Sequence, residues 1–142
     1  MNIIIHTDGG SIGNPGPSAV GVVIEYGGKK KTYAKDIGEG TNNEAEYEAL
    51  IFALKKTKAL VGGKNAKEAK VKCYADSQLM VSQLNHKFKL NDKKIIPLFV
   101  GVWNLMMEYG SVEFIHVPRE ENREADALVR SVADGGKQNK FF

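Results

Sequence analysis

The run Asn2-Ile3-Ile4-Ile5-His6-Thr7-Asp8, followed by Gly9-Gly10-Ser11-Ile12-Gly13-Asn14-Pro15-Gly16-Pro17, decides how the rest of the chain is read. Three consecutive β-branched residues point to a buried strand, and its apolar part ends in an acid. The glycines and prolines behind it predict a turn-rich loop without regular structure. Open sheets containing parallel strands gather their ligands at the carboxyl ends of those strands. The question is therefore which other residues the fold brings to the end that carries Asp8.

Ala19 to Tyr26 predicts a second strand. Gly27-Gly28 makes a two-residue turn into a third, Lys30 to Ile37, so these two are antiparallel. The period then changes. Tyr47, Leu50, Ile51 and Leu54 recur at helical spacing, entered from Thr41-Asn42-Asn43. A loop over Val61–Lys67 leads to a fourth strand, Val71 to Asp76. A short helix follows over Ser77–Asn85, and another is capped by Asn91-Asp92, with Pro97 near its start. Trp103, Met106, Met107 and Cys73 are expected in the core. Gly110 stops that helix, Val112–Val117 is a fifth strand, and Asn122 caps a last helix to about Val132. The order β-β-β-α-β-α-α-β-α predicts an α/β fold with a five-stranded mixed sheet, three antiparallel strands and then parallel ones, covered by helices.

The chain has 142 residues, 42% of them hydrophobic and 26% charged, which suits one domain over residues 1–134 with a flexible tail over 135–142. Cys73 is the single cysteine, so no internal disulfide forms, and a reducing compartment, the cytoplasm, is expected. No apolar run approaches the ~20 residues of a membrane helix, and no signal peptide is expected ahead of the first strand. A monomer is expected. The net charge is only +3 but uneven: residues 28–72 hold eleven lysines against six acids, and residues 102–126 hold six acids against two arginines. A basic region beside a local set of carboxylates suits a protein that binds phosphates and holds metal ions; a solvated helix end and loop is the plainer alternative.

Four acids fall where this layout converges: Asp8 on strand one, Asp76 at the end of strand four, Glu46 on the first turn of the long helix and Asp126 on the first turn of the last. Each taken alone is an ordinary surface charge. Four carboxylates within a few ångströms repel one another, and divalent cations with a taste for hard oxygen ligands, Mg²⁺ or Mn²⁺, relieve that repulsion.

Thr7-Asp8-Gly9-Gly10 with Gly13-Asn14-Pro15-Gly16, then Thr41 to Glu46, Asp76-Ser77-Gln78 and Asn122 to Leu128 together resemble type 1 ribonuclease H, from about residue 2 to 132 and in that family's order. The resemblance implies hydrolysis of the RNA strand of RNA–DNA hybrids with Asp8, Glu46, Asp76 and Asp126 as metal ligands. It implies two Mg²⁺ ions per site (Mn²⁺ as a substitute), ~3.5–4 Å apart, and 5′-phosphate and 3′-hydroxyl products. It assigns Gly9, Gly10 and Ser11 to the RNA backbone, Asn42, Asn43 and Gln78 to the minor groove, and Asn14 and Thr41 to a phosphate of the DNA strand. Read without it, Thr41 and Asn42 merely cap a helix and Asn14 merely turns a loop.

Two departures stand out. Many bacterial members carry a Lys/Trp-rich protrusion, but here Asn85–Ile96 is short and has no tryptophan, so affinity would be weaker or come from Lys55–Lys72. The family's mobile Gly/His loop is replaced by Ile115-His116-Val117-Pro118-Arg119-Glu120-Glu121-Asn122. Arg119 matches a form seen in archaeal-type relatives and is a candidate catalytic residue in place of the loop histidine. His116, assigned to strand five, is the other candidate; a surface pairing of Arg119 with Glu120 or Glu121 is the alternative. A ribonuclease of the same fold that also cuts double-stranded RNA is one rival, and a non-catalytic hybrid-binding module is another.

Overall fold

The computed structural model describes residues 1–133, and the tail expected to be flexible lies outside them. Five strands form one sheet in the order β3-β2-β1-β4-β5. They are β1 (Asn2–Ser11), β2 (Gly16–Tyr26), β3 (Lys29–Gly40), β4 (Lys70–Ala75) and β5 (Ser111–His116). β1–β2 and β2–β3 pair antiparallel, while β1–β4 and β4–β5 pair parallel, with Ile5 opposite Cys73 and Thr7 opposite Ala75. Asp8 and Asp76 therefore emerge side by side, as expected from neighbouring parallel strands.

The helices are α1 (Asn42–Val61), α2 (Gly63–Glu68), α3 (Gln78–Leu84), α4 (Ile96–Met106) and α5 (Arg123–Ala133). The core lies mainly between the sheet and α1. Ile3, Ile5, Val22, Ile24 and Val71 meet Tyr47, Leu50 and Leu54, all fully or almost fully buried. Two polar ties close it: Tyr47 Oη donates to Gln83 Oε1 at 2.7 Å, and Tyr109 Oη donates to the Leu54 carbonyl.

Several elements differ from expectation. β1 continues through Gly9 and Gly10, because these residues pair with Val20 and Ala19 of β2; the irregular stretch shrinks to residues 12–15. The expected loop over Val61–Lys67 contains α2, made possible by Gly62, whose φ of +88° breaks the chain direction between two helices. Helix α4 starts only at Ile96, since Asp92 uses its side chain to turn the chain at Lys94 instead of capping a helix. Cys73 is buried as expected, but Trp103 is 55% and Met107 64% exposed. Helix α4 packs on α1 with one face only, burying Val102, so Met106 is partly buried and the other two face outward.

Four of the seven lysines between residues 55 and 72 lie at the end of the sheet away from the Asp8–Asp76 edge. Lys70 and Lys72 sit at the start of β4, at the opposite end of the sheet, and Lys64 and Lys67 lie on α2 beside them. Lys58 is engaged with Glu108, and Lys56 lies over the Tyr33 and Phe52 rings. No helix among the described residues is long and apolar enough to cross a membrane.

Candidate active site

Asp8 sits on the central strand and is 4% exposed. Two glycines let helices close on it. A Cβ on Gly9 would stand 2.3 Å from the Ala45 carbonyl and 2.7 Å from the Glu46 nitrogen, so the bare backbone admits the start of α1. A Cβ on Gly21, the cross-strand partner of Asp8, would stand 2.3 Å from the Ala125 carbonyl, so the same device admits α5. Glu46 and Asp126 are thus delivered to Asp8 by close backbone contact rather than by long side chains.

Asp8, Glu46 and Asp76 each offer a carboxylate oxygen, and these oxygens all lie within 4.8 Å of one another. Asp126 is not one of this tight trio. It lines the same hollow beside Asp8, and Arg130 Nη2 holds its Oδ2 at 3.2 Å. Glu46 lies on the second turn of α1 rather than the first. The Asp76 side chain is 3% exposed, and among the described residues neither of its oxygens has a hydrogen-bond partner; Glu46 Oε1 is equally unpartnered there. Buried carboxylate oxygens without donors are costly, and among the described residues the ion-pair partner of Asp76 is Arg119, whose Nε lies 3.6 Å from Oδ2.

The electrostatics follow from this crowding. Burial, then the Asp76 and Asp126 charges, push Asp8 up to about 8. Glu46 is raised well above the usual carboxylate range by burial and by Asp8 and Asp76, against a weaker pull from the Gly9 backbone. Burial also raises Asp76, although Arg119 pulls it down. An all-oxygen set that resists ionisation and has orphaned lone pairs fits a hard divalent cation, and Asp8, Glu46, Asp76 and Asp126 are the residues that would hold it.

Around the carboxylates is a hollow of about 610 Å³ whose wall includes Gly9, Gly10, Ser11, Asn42 and Arg119. The edge of the wall is stitched together: the Ser11 N–H donates to Asn42 Oδ1, and the Asn42 N–H donates to Asn14 Oδ1. Thr41 caps α1 by accepting from the Glu44 N–H, while the Glu44 side chain accepts from the Thr41 N–H. The capping expected of Thr41 is real, whereas Asn42 spends its side chain on Ser11. Asn43 is partly buried and Gln78 exposed at the start of α3; neither borders the hollow.

Asn122 is the larger surprise. Its backbone carbonyl starts α5, but its buried side chain turns away from the helix and donates to the Thr7 carbonyl at 2.8 Å, tying α5 to β1 beside Asp8. Arg119 pairs with neither Glu120 nor Glu121. His116 ends β5, opposite Ala75, with a weaker pull on Asp76 than Arg119 has, and it stands outside the hollow. Arg130 and Gly21 were not anticipated. The i,i+4 spacing of Arg130 from Asp126 carried the first, whereas nothing local to β2 marked the second.

Comparisons with known proteins agree with this geometry. The family profile for RNase H matches residues 1–134. Ribonuclease HI of Halobacterium salinarum is 38% identical over 129 residues, spanning 89% of this chain and 62% of that protein. A bifunctional protein of Mycobacterium tuberculosis is 34% identical over 142 residues, spanning 98% of this chain, which thus matches only 37% of the relative's length. Among solved structures, LC11-RNase H1 in complex with an RNA/DNA hybrid superimposes with a TM-score of 0.84 at 40% identity, over 91% of this chain and 94% of that one. RNase H1 of H. salinarum does so with a TM-score of 0.87 at 34% identity, over 96% and 100%. With the sheet order, the helices closed on a central aspartate and the profile all in agreement, the chain belongs to the RNase H family, type 1.

Proposed function

We propose that this chain is a divalent-metal-dependent endonuclease that hydrolyses the RNA strand of RNA–DNA hybrids and leaves 5′-phosphate and 3′-hydroxyl ends. The observation that carries it is the convergence of Asp8, Glu46 and Asp76 oxygens within 4.8 Å, in a hollow open enough for a phosphodiester. The structural likeness to LC11-RNase H1, solved with an RNA/DNA hybrid, supports the choice of substrate. Two Mg²⁺ ions, or Mn²⁺ in their place, would supply Lewis-acid activation of the attacking water and of the leaving 3′ oxygen.

The chain's own residues do the rest. Asp8, Glu46, Asp76 and Asp126 hold the positive charge under the scissile phosphate. The backbone at Gly9, Gly10 and Ser11 lets the RNA strand approach without a side chain in the way. Asn42, held by its bonds to Ser11 and Asn14, faces the groove on the α1 side, with Asn43 and Gln78 further out, where the 2′-hydroxyls of a hybrid distinguish RNA from DNA. Asn14 and Thr41 use their oxygens inside the protein, which leaves the Asn14 amide and the Thr41 hydroxyl proton free to donate to a phosphate of the DNA strand. Arg119, at the rim beside Asp76, is the charged donor placed to meet the reacting phosphate.

The test is cleavage of end-labelled RNA as hybrid, RNA duplex and single strand, with a DNA duplex control, each with Mg²⁺, Mn²⁺ or EDTA. Metal-dependent cutting of the hybrid alone is expected. Cutting of the RNA duplex as well makes the enzyme a broader ribonuclease, and binding of the hybrid without cutting overturns the enzymatic reading.

A further inference from the structure

The chain has 17 lysines and three arginines, and all three arginines lie together. Arg119 sits in the single 3₁₀ turn before α5; Arg123 and Arg130 lie on α5 itself. They wall a second hollow of about 450 Å³ floored by Ala127, which adjoins the catalytic hollow and shares Arg119, Asp126 and Arg130 with it. All three are exposed. Two of them already reach toward the carboxylates, Arg119 at Asp76 and Arg130 at Asp126. Arg123 has no acidic partner within 4.0 Å among the described residues.

Arg123 also breaks a local rule. It is the first residue of α5, where the helix end is positive and acids are favoured, so a cation there costs stability rather than adding to it. A residue placed against local preference, with no acidic partner among the described residues, next to a site that handles phosphodiesters, has a use outside the fold. Guanidinium pairs phosphate in a fixed fork, which lysine does not, and this is where the chain departs from its habit of using lysine. Two acids border the hollow, Glu120 and Asp126, so the three arginines leave it with an excess of positive charge.

We propose that Arg123 and Arg130, continuing the row begun by Arg119, form a second phosphate subsite that takes a backbone phosphate of the cleaved strand next to the one over Asp8. The proposal rests on the nuclease reading of the carboxylate hollow. It makes α5 a rail: the strand crosses the carboxylates and leaves along the helix, so that the subsite sets how firmly the flanking nucleotides are held. Arg123 is a binding residue there, and Arg130 also holds Asp126 in place, which makes Arg123 the cleaner one to change.

The experiment uses the full chain and a fluorescent RNA–DNA hybrid in Ca²⁺, with binding followed by anisotropy across a salt series and cleavage followed in Mg²⁺. Arg123→Ala is expected to weaken binding about three- to tenfold and to reduce the slope of log K against log salt by about one, the signature of one lost phosphate contact. Its KM should rise by a similar factor, with a smaller change in kcat. Arg123→Glu should lose more, Arg123→Lys should recover part, and Lys64→Ala, the same charge loss at the far end of the molecule, should match the wild type. The melting temperature of Arg123→Ala should not fall, which separates a binding role from a structural one. Arg123→Ala and Arg123→Glu binding and cutting like the wild type would overturn the subsite while leaving the nuclease reading intact. A wild-type protein that neither binds nor cuts the hybrid would overturn both.

Discussion

Asp8 and Gly21 face each other across the β1–β2 pair, and the absent Cβ of Gly21 is what allows the Ala125 carbonyl of α5 to come within 2.3 Å of where that atom would be. The aspartate and the glycine are therefore one device: the first supplies the charge and the second seats the helix that brings Asp126 beside it.

Gly21→Ala accordingly forces α5 off the sheet. The clash is with backbone, which has no rotamer to move, so a loss of about 1–3 kcal/mol in stability is expected, with a larger fractional loss of activity than of fold because Asp126 moves with α5. Urea unfolding and hybrid cleavage on the same preparation check this; an alanine variant with wild-type rate would show that α5 does not need its close seat.

The carboxylate cluster makes the metal-free protein sensitive to pH in a definite direction. Asp8 keeps its proton to about pH 8 in the folded chain but loses it near its ordinary value of 3.8 when unfolded. The stability it contributes is complete below about pH 4 and is lost as pH rises toward 8, with Glu46 and Asp76 shifted in the same sense. In EDTA the melting temperature should drop between pH 5 and pH 8. Asp8→Asn should flatten that drop and melt above the wild type at pH 8, and Mg²⁺ should raise the wild-type midpoint more at pH 8 than at pH 5. A metal-free wild type that is no less stable at pH 8 than at pH 5 would contradict the geometry.

Asn122→Ala removes the buried bond to the Thr7 carbonyl, a loss of about 1 kcal/mol. Amide exchange should rise around Thr7 and the start of α5 together, since the side chain joins the two. Exchange confined to α5 would assign Asn122 a purely local role.

Arg119→Ala should lower kcat on the hybrid about tenfold or more, because the charge beside Asp76 is lost at the reacting phosphate. Arg119→Lys should restore part of the rate. A loss of no more than twofold would remove Arg119 from the chemistry.

Much of this architecture was legible in the residues. The β-branched run at the start and the Gly27-Gly28 turn predicted the first strands and their antiparallel hairpin, and the strand–helix–strand order predicted the parallel pair that sets Asp8 beside Asp76. What was hidden depends on partners distant in sequence. Gly9 and Gly10 looked like loop because their pairing with Val20 and Ala19 is a tertiary fact. Trp103 and Met107 looked like core because an apolar helix does not announce which side its neighbour will take. Asn122 looked like a cap because its real acceptor, the Thr7 carbonyl, is 115 residues away. The site acids were legible as a set, yet the grading among them, three oxygens tightly grouped and Asp126 beside Asp8 with Arg130 on its other oxygen, is a matter of ångströms that no spacing encodes.

The most direct measurement is the single-turnover rate of RNA-strand cleavage in a hybrid, titrated with Mg²⁺, for the wild type and for Asp8→Asn. The account predicts no cutting in EDTA, a rate that rises with Mg²⁺ for the wild type, and a loss of at least 10³-fold for the variant at saturating metal, while it still binds the hybrid. A variant that cuts at a rate near the wild type, or a wild type that cuts in EDTA, would contradict it.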